Sequence, residues 1–353
     1  MTLVGPLRCR LVRPAAALRV AAPMPESLLE AAAAAKARSV APGAYTAPQP
    51  GFFVYQQRHG SHVHTGVVCE VLADAFLDGR VRGHESVQPD RVDALVDYLA
   101  AAPARSELVA LLHRSGPVVT HAVTGACEGE PAVRFTGADG VEQIVWRVSE
   151  ESAAVLTREL GEGVHYVADG HHRVAAGLRA WQQEGSPSGS GLMCVVYPPG
   201  GLHLSAFHRR ISGPVDAENL VAFLRKEFDV TAVADPLEAS GSFRVYAGGR
   251  WFSAAYRGVR PAGAGSLDVA LLHDRVLVPV LGVGEQALSR IEIASAKSSL
   301  TELTELCDQD GGALFALHPP ALAELTDLAD RGQTLPPKTT YFAPKPYAGI
   351  FLR

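Results

Sequence analysis

Val167-Ala168-Asp169-Gly170-His171-His172-Arg173 sets an acid, a glycine, two imidazoles and a guanidinium between a β-type run and a helix-forming run. Upstream, Gly163-Val164-His165-Tyr166-Val167-Ala168 predicts a short buried strand. Downstream, Val174-Ala175-Ala176-Gly177-Leu178-Arg179-Ala180-Trp181 carries apolar residues at helical spacing. The polar cluster therefore falls on the first turn of a helix, where unpaired backbone N–H groups and the helix dipole favour an anion. Gly170 permits close backbone approach, and Arg173 with the two histidines adds charge-assisted donors. That combination suits phosphate. Zinc is the competing chemistry and fits poorly. Adjacent histidines on a helix point in different directions, and no His-x-x-x-His or Cys-x-x-Cys pair stands nearby.

Around this junction the chain alternates helices and strands. The runs 52–57 and 63–71 flank His59-Gly60-Ser61-His62 and predict a β-hairpin with a glycine turn. His59, His62 and His64 read as polar residues of that turn and its alternating strand rather than as metal ligands. Residues 90–99, 150–160, 217–228, 266–278, 300–308 and 321–331 predict helices. So does a run to about Arg38, capped by Pro25-Glu26-Ser27. Strands are expected at 108–112, 118–123, 193–197, 229–233, 243–247, 251–256 and 313–317. Prolines stiffen the extended tail from Leu335 to Lys345.

A chain of 353 residues predicts about two domains, and a 47% hydrophobic fraction provides for a real core. The net charge of -5 argues against a nucleic-acid binder working by bulk electrostatics. Five scattered cysteines read as reduced core residues of a cytoplasmic protein. Near the start, Arg8, Arg10, Arg13 and Arg19, with Pro6 and Pro14, interrupt any signal-like apolar stretch. No run reaches the roughly 18 apolar residues of a spanning helix. A soluble protein with no membrane partner is expected.

Three segments stand out together: His84-Glu85, the Asp169–Arg173 cluster, and Lys338-Thr339-Thr340. A carboxylate beside a phosphate cradle is a base that can take a hydroxyl proton during phosphoryl transfer. A lysine and hydroxyls on a terminal segment can close a site and hold a small substrate. His208-Arg209-Arg210 reads equally as a site wall or as a basic edge.

In order and spacing these motifs resemble the free L-serine kinases of the ParB/sulfiredoxin-like fold, and a large, mostly uncharacterised family with the same signatures. The resemblance is strongest over 83–99, 165–181 and 314–345 and weakest in the first sixty residues. It implies an α+β protein with a ParB/sulfiredoxin-like nucleotide-binding core; the change of sequence texture around Gly213-Pro214 bounds that core at 1–213 and a smaller αβ domain at 214–353. It also implies an ATP- or ADP-dependent kinase acting on the hydroxyl of a free amino acid, L-serine or a close analogue. By the resemblance Glu85 is the general base and Asp169 a catalytic residue that holds Mg2+. The resemblance likewise implies that Asp169, His171, His172 and Arg173, in the motif with Gly170, bind the nucleotide and that Lys338, Thr339 and Thr340 help hold the amino acid. His84, His208 and Lys345 are expected beside them as further substrate-binding candidates from their residue types and places in the chain. Where the kinases carry basic residues after Thr-Thr, this chain has Tyr341 and Phe342, which implies a more apolar acceptor pocket. The rivals are a ParB-like nucleotide-gated regulatory module and a phosphatase-like or nucleotidyl-transferring enzyme.

Overall fold

The structure, a computed structural model, describes residues 2–23, 28–39, 41–102, 104–234, 241–282, 289–294, 298–336 and 338–353. Contacts divide the chain into two compact units, Met1–His203 with Phe342–Arg353, and Leu204–Tyr341. The expected boundary at 213 is thus corrected. The strand His208–Ile211 pairs with Ile291–Ala294 and Ala313–Ala316, so it belongs to the second unit. The last twelve residues return to the first.

The first unit is built on a mixed sheet. Its strands are β1 (Val4–Gly5), β2 (Phe53–His59), β3 (His62–Leu72), β4 (Val81–Arg82), β5 (Val109–His113), β6 (Val133–Thr136), β7 (Glu142–Arg147), β8 (His165–Asp169) and β9 (Gly191–Tyr197). The order across the sheet is β4-β8-β5-β9-β3-β2-β7-β6, with β1 on β3. Pairs β8·β4 and β9·β5 are parallel and the rest antiparallel. The expected hairpin forms β2 and β3 in register from Phe53↔Val68 to His59↔His62. Close packing on β9 requires Gly66 in β3: an added Cβ would lie 2.7 Å from Val195 Cγ2 and 3.0 Å from the Tyr197 ring.

Helices α1 (Leu28–Ser39), α2 (Pro89–Ala101), α3 (Pro117–Cys127), α4 (Glu150–Glu159) and α5 (His171–Gln183) complete the unit. Val54, Val67, Cys69, Leu111, Ile144, Leu156, Val167 and Cys194 belong to its buried centre. A second cluster, including Ala31, Ala35, Val92, Leu95, Tyr98 and Ala176, fixes α5 against α1 and α2. Residues 118–123, expected as a strand, lie in α3. A short apolar run does not distinguish strand from helix, and Pro117 at the first helical position, with its fixed φ, starts a helix. The capping residues expected at 25–27 lie outside the described residues.

The second unit carries β10 (His208–Ile211), β11 (Phe228–Val233), β12 (Ser242–Ala247), β13 (Arg250–Tyr256), β14 (Ile291–Ala294) and β15 (Ala313–Ala316) in the order β11-β13-β12-β15-β10-β14. The unit's helices are α6 (Ala217–Leu224), a helical run over 268–281 with a π turn at His273–Leu277, α7 (Leu300–Asp310) and α8 (Leu322–Asp330). Ile211, Leu224, Phe243, Phe252, Leu272 and Phe315 lie in its core. Among the described residues no helix is long and apolar enough to cross a membrane.

Candidate active site

Strand β8, paired with β4 and β5, delivers the motif at its C-terminal end through an irregularity. Val167 pairs with Leu111 but Asp169 with Ala110, so the register slips at Ala168. A bulge of this kind re-aims the side chain that follows it. Asp169 then ends the strand, and Gly170 turns the chain into α5 with φ 103° and ψ 28°. An L-residue strains in that region. A Cβ on Gly170 would also lie 2.9 Å from Arg173 Nε. The guanidinium therefore occupies the space a side chain would need.

Asp169 is bracketed by two cations. Arg173, one turn on in α5, donates through Nη2 to Oδ2, and Lys345 from the chain's last segment donates through Nζ to Oδ1. Burial alone would raise the Asp169 carboxyl; Arg173 and Lys345 outweigh it and hold the group below its ordinary value. Arg173 Nη1 also donates to the Leu108 carbonyl at 2.6 Å. Lys345 is itself fixed, because Gln57 Nε2 donates to its carbonyl at 3.1 Å. The sequence reading gave Asp169 to Mg2+ and Arg173 to phosphate. Instead the two pair with each other, and both carboxylate oxygens carry a cationic partner. That donor set does not fit a resident metal ion, and no group of three potential ligands occurs among the described residues.

The two histidines act on a loop. His171 is buried, and its Nε2 accepts from the His84 backbone N–H at 3.3 Å. The His84 and His171 rings meet edge to face at 4.6 Å. His172 Nε2 accepts from the Gln88 N–H at 3.0 Å. Acceptance at Nε2 assigns the ring proton to Nδ1 and leaves both imidazoles neutral. Burial depresses both, with the neighbouring His84 adding for His171 and Arg91 for His172. Burial likewise lowers His84 to about 4, opposed by a hydrogen bond with the Val167 backbone. Glu85, half-buried, lies between the two stapled positions. The loop 83–88 that carries it is thus tied to the first turn of α5 at both ends.

The segment 342–353 makes further contacts within the first unit. Phe342 is buried against the His84 ring at 6.1 Å. The Tyr347 N–H donates to Tyr55 Oη at 3.1 Å, and its hydroxyl to Asp139 at 2.6 Å. Tyr197 Oη and Gln57 Oε1 are buried without a hydrogen-bond partner among the described residues. Burial pushes the Tyr197 phenol up, and the charge on Asp169 adds to it. Tyr197 and Gln57 were not expected in the site. A tyrosine ending an otherwise apolar strand before Pro198-Pro199 was the available signal.

Lys338, Thr339, Thr340 and His208 belong to the second unit, while Lys345 belongs to the first. Lys338 has an exposed side chain and a left-handed backbone, φ 57°. Thr339 and Thr340 are buried, and the Thr339 hydroxyl donates to the Pro336 carbonyl at 2.8 Å. His208 is buried in β10, and its Nδ1 accepts from the Leu317 N–H at 3.2 Å. Burial, helped by Arg209, lowers it to about 4.

Among solved structures the chain is similar to a free serine kinase variant in complex with ADP. The two share 15% identity over 79% of this chain and 87% of that one, with a TM-score of 0.42. It is also similar to a C-terminally truncated SbnI from Staphylococcus aureus, at 13% identity over 78% and 82% of the two chains and a TM-score of 0.41. A conserved hypothetical protein from Pyrococcus furiosus matches at 15% identity over 79% and 90%, with a TM-score of 0.40. No curated protein matches the chain. Residues 9–270 match the model of the DUF1015 proteins of unknown function, and the chain belongs to that family.

Proposed function

We propose that the protein transfers a phosphoryl group from ATP or ADP to the hydroxyl of a free amino acid, L-serine or a close analogue, on a ParB/sulfiredoxin-like core. The observation that carries the reading is the double staple of the 83–88 loop onto α5 by His171 and His172. It keeps a carboxylate-bearing loop beside a helix start that has no side-chain cap. Backbone N–H groups of that turn, at the positive end of the α5 dipole, favour the anionic phosphates of a nucleotide. Glu85 takes the hydroxyl proton as the acceptor attacks, and Asp169 holds Arg173 and Lys345 in place.

The test is direct. Purified full-length protein is incubated with ATP, ADP or pyrophosphate and a panel of hydroxy amino acids, and phosphorus NMR follows the products. A phosphomonoester of one amino acid is expected, absent when Glu85 is replaced by glutamine. Nucleotide binding without any phosphorylated product would favour the regulatory reading. Neutralisation of both Asp169 oxygens by Arg173 and Lys345 is the observation on that side.

A further inference from the structure

Consecutive arginines on β10 have opposite fates. Successive side chains of a strand face opposite sides, so Arg209 and Arg210 enter different surroundings. Arg210 pairs with Glu292 at 2.6 Å and with Asp310. Arg209 is only 6% exposed and has no acidic partner among the described residues. Its hydrogen bonds among the described residues go to carbonyls: Nη1 to Phe207 at 3.1 Å and His208 at 3.3 Å, and Nη2 to Lys338 at 3.1 Å.

A guanidinium carries five N–H donors. Those three bonds leave the Nε–H and one Nη2–H of Arg209 without an acceptor among the described residues. A buried charge lacking a counter-charge is costly, by several kcal/mol in general. Burial lowers this guanidinium to about 10, and no carboxylate opposes the shift. The carbonyl held by Nη2 is that of Lys338, the one non-glycine residue besides Ser186 with positive φ among the described residues. Strained backbone clusters at ligand clamps. In the same unit Thr339, next in sequence to Lys338, lines a polar recess of about 190 Å³ with Ala206, Arg260, Ser266, Asp268, His318 and Glu324.

We propose that Arg209 is an oxyanion-binding residue of the second unit, and that it takes the carboxylate of a small molecule. Two free N–H donors on one planar group match the two oxygens of a carboxylate. A single positive charge balances a carboxylate, whereas a phosphate dianion would leave excess negative charge in the same buried position. The oxyanion site does not rest on the function proposed above.

Thermal unfolding of the full chain without nucleotide tests it, with sodium acetate as the probe against sodium chloride and sodium phosphate at equal ionic strength. Acetate should raise the wild-type Tm by at least about 2 °C near saturation, and more than phosphate does. Arg209→Met should abolish the acetate increment, and Arg209→Lys, which keeps the charge without the fork, should reduce it. A wild type indifferent to acetate, or an Arg209→Lys protein with the full increment, overturns the proposal. A larger effect of phosphate than of acetate overturns the carboxylate assignment. An increment with L-serinamide equal to that with L-serine would likewise overturn the carboxylate assignment. No phosphoryl transfer enters the readout, so failure here and failure of the kinase reading are distinguishable.

Discussion

Lys345 lies 176 residues beyond Asp169 in the chain, and its ammonium rests on the aspartate's Oδ1. Arg173 holds the other oxygen. The terminal segment therefore completes the electrostatics of the strand-to-helix turn instead of merely packing on the sheet. Lys345→Met keeps much of the stem and removes the charge. The variant should lose about 1–3 kcal/mol, between the worth of an exposed pair and that of a fully buried one. Nucleotide affinity should fall with it. Urea denaturation and nucleotide titration are the measurements, and an unchanged unfolding midpoint would show that the contact contributes nothing.

The buried histidines set the acid limit of the fold. His165 is fully buried, stacks on His113 at 4.3 Å, and neither of its ring nitrogens has a hydrogen-bond partner among the described residues. Burial, with His113 adding, lowers it to about 3, and His84 is lowered to about 4. In the unfolded chain each binds a proton near 6.5. Above that pH neither state is protonated. Below it the unfolded state takes up protons the native state refuses, so stability falls as pH falls. The slope is about 1.4 kcal/mol per pH unit per histidine. His165→Phe keeps the stacked ring and removes the titrating group. Its Tm should drop less than that of the wild type between pH 7 and pH 4.5; parallel curves would exclude His165 as a source of the acid sensitivity.

Gly170→Ala should act through two routes that a double-mutant cycle separates. Alanine strains at φ 103°, and its Cβ would press on Arg173 Nε. The expected loss is about 1–3 kcal/mol for the backbone alone, with more from displacing the guanidinium off Asp169 and Leu108. In an Arg173→Ala background the second part vanishes, so the two substitutions should cost less together than their sum. Strict additivity in denaturant titrations would mean that Arg173 moves aside freely.

Much of this was legible from local pattern. The hairpin over Gly60, the strand into Asp169 and the helix from His171 follow from period and turn chemistry. Residues 118–123 did not, because four apolar residues in six satisfy either period and only Pro117 decides. The polar motif was visible, but its internal wiring was not. Composition presents Arg173 and both histidines as donors to a ligand. In the fold Arg173 pairs with Asp169 and the Leu108 carbonyl, and the imidazoles accept from backbone N–H groups at 84 and 88. Which charge meets which is fixed by tertiary placement of distant residues, and a linear pattern carries no record of it. Arg209 and Arg210 make the same point: identical neighbours in sequence, one with two carboxylates and one with none.

Glu85→Gln tests the chemistry assigned to the stapled loop. The His84 and Gln88 N–H groups on either side of Glu85 donate to the imidazoles of His171 and His172. Neither contact uses the Glu85 side chain. Glutamine keeps the shape of the side chain, so the substitution should leave the loop, the fold and nucleotide affinity in place while removing the group that accepts the hydroxyl proton. A general base contributes about 10²–10⁴-fold to rate, so turnover should fall by that factor at unchanged nucleotide Kd. His172→Phe is the complementary change. It frees the Gln88 end of the loop without touching the carboxylate, and should weaken turnover less than Glu85→Gln does. If Glu85→Gln turns over within about threefold of wild type, far inside that range, the carboxylate only favours the start of α2 and the base is another residue. If His172→Phe is the more damaging of the two, the staple matters through the helix start and not through Glu85.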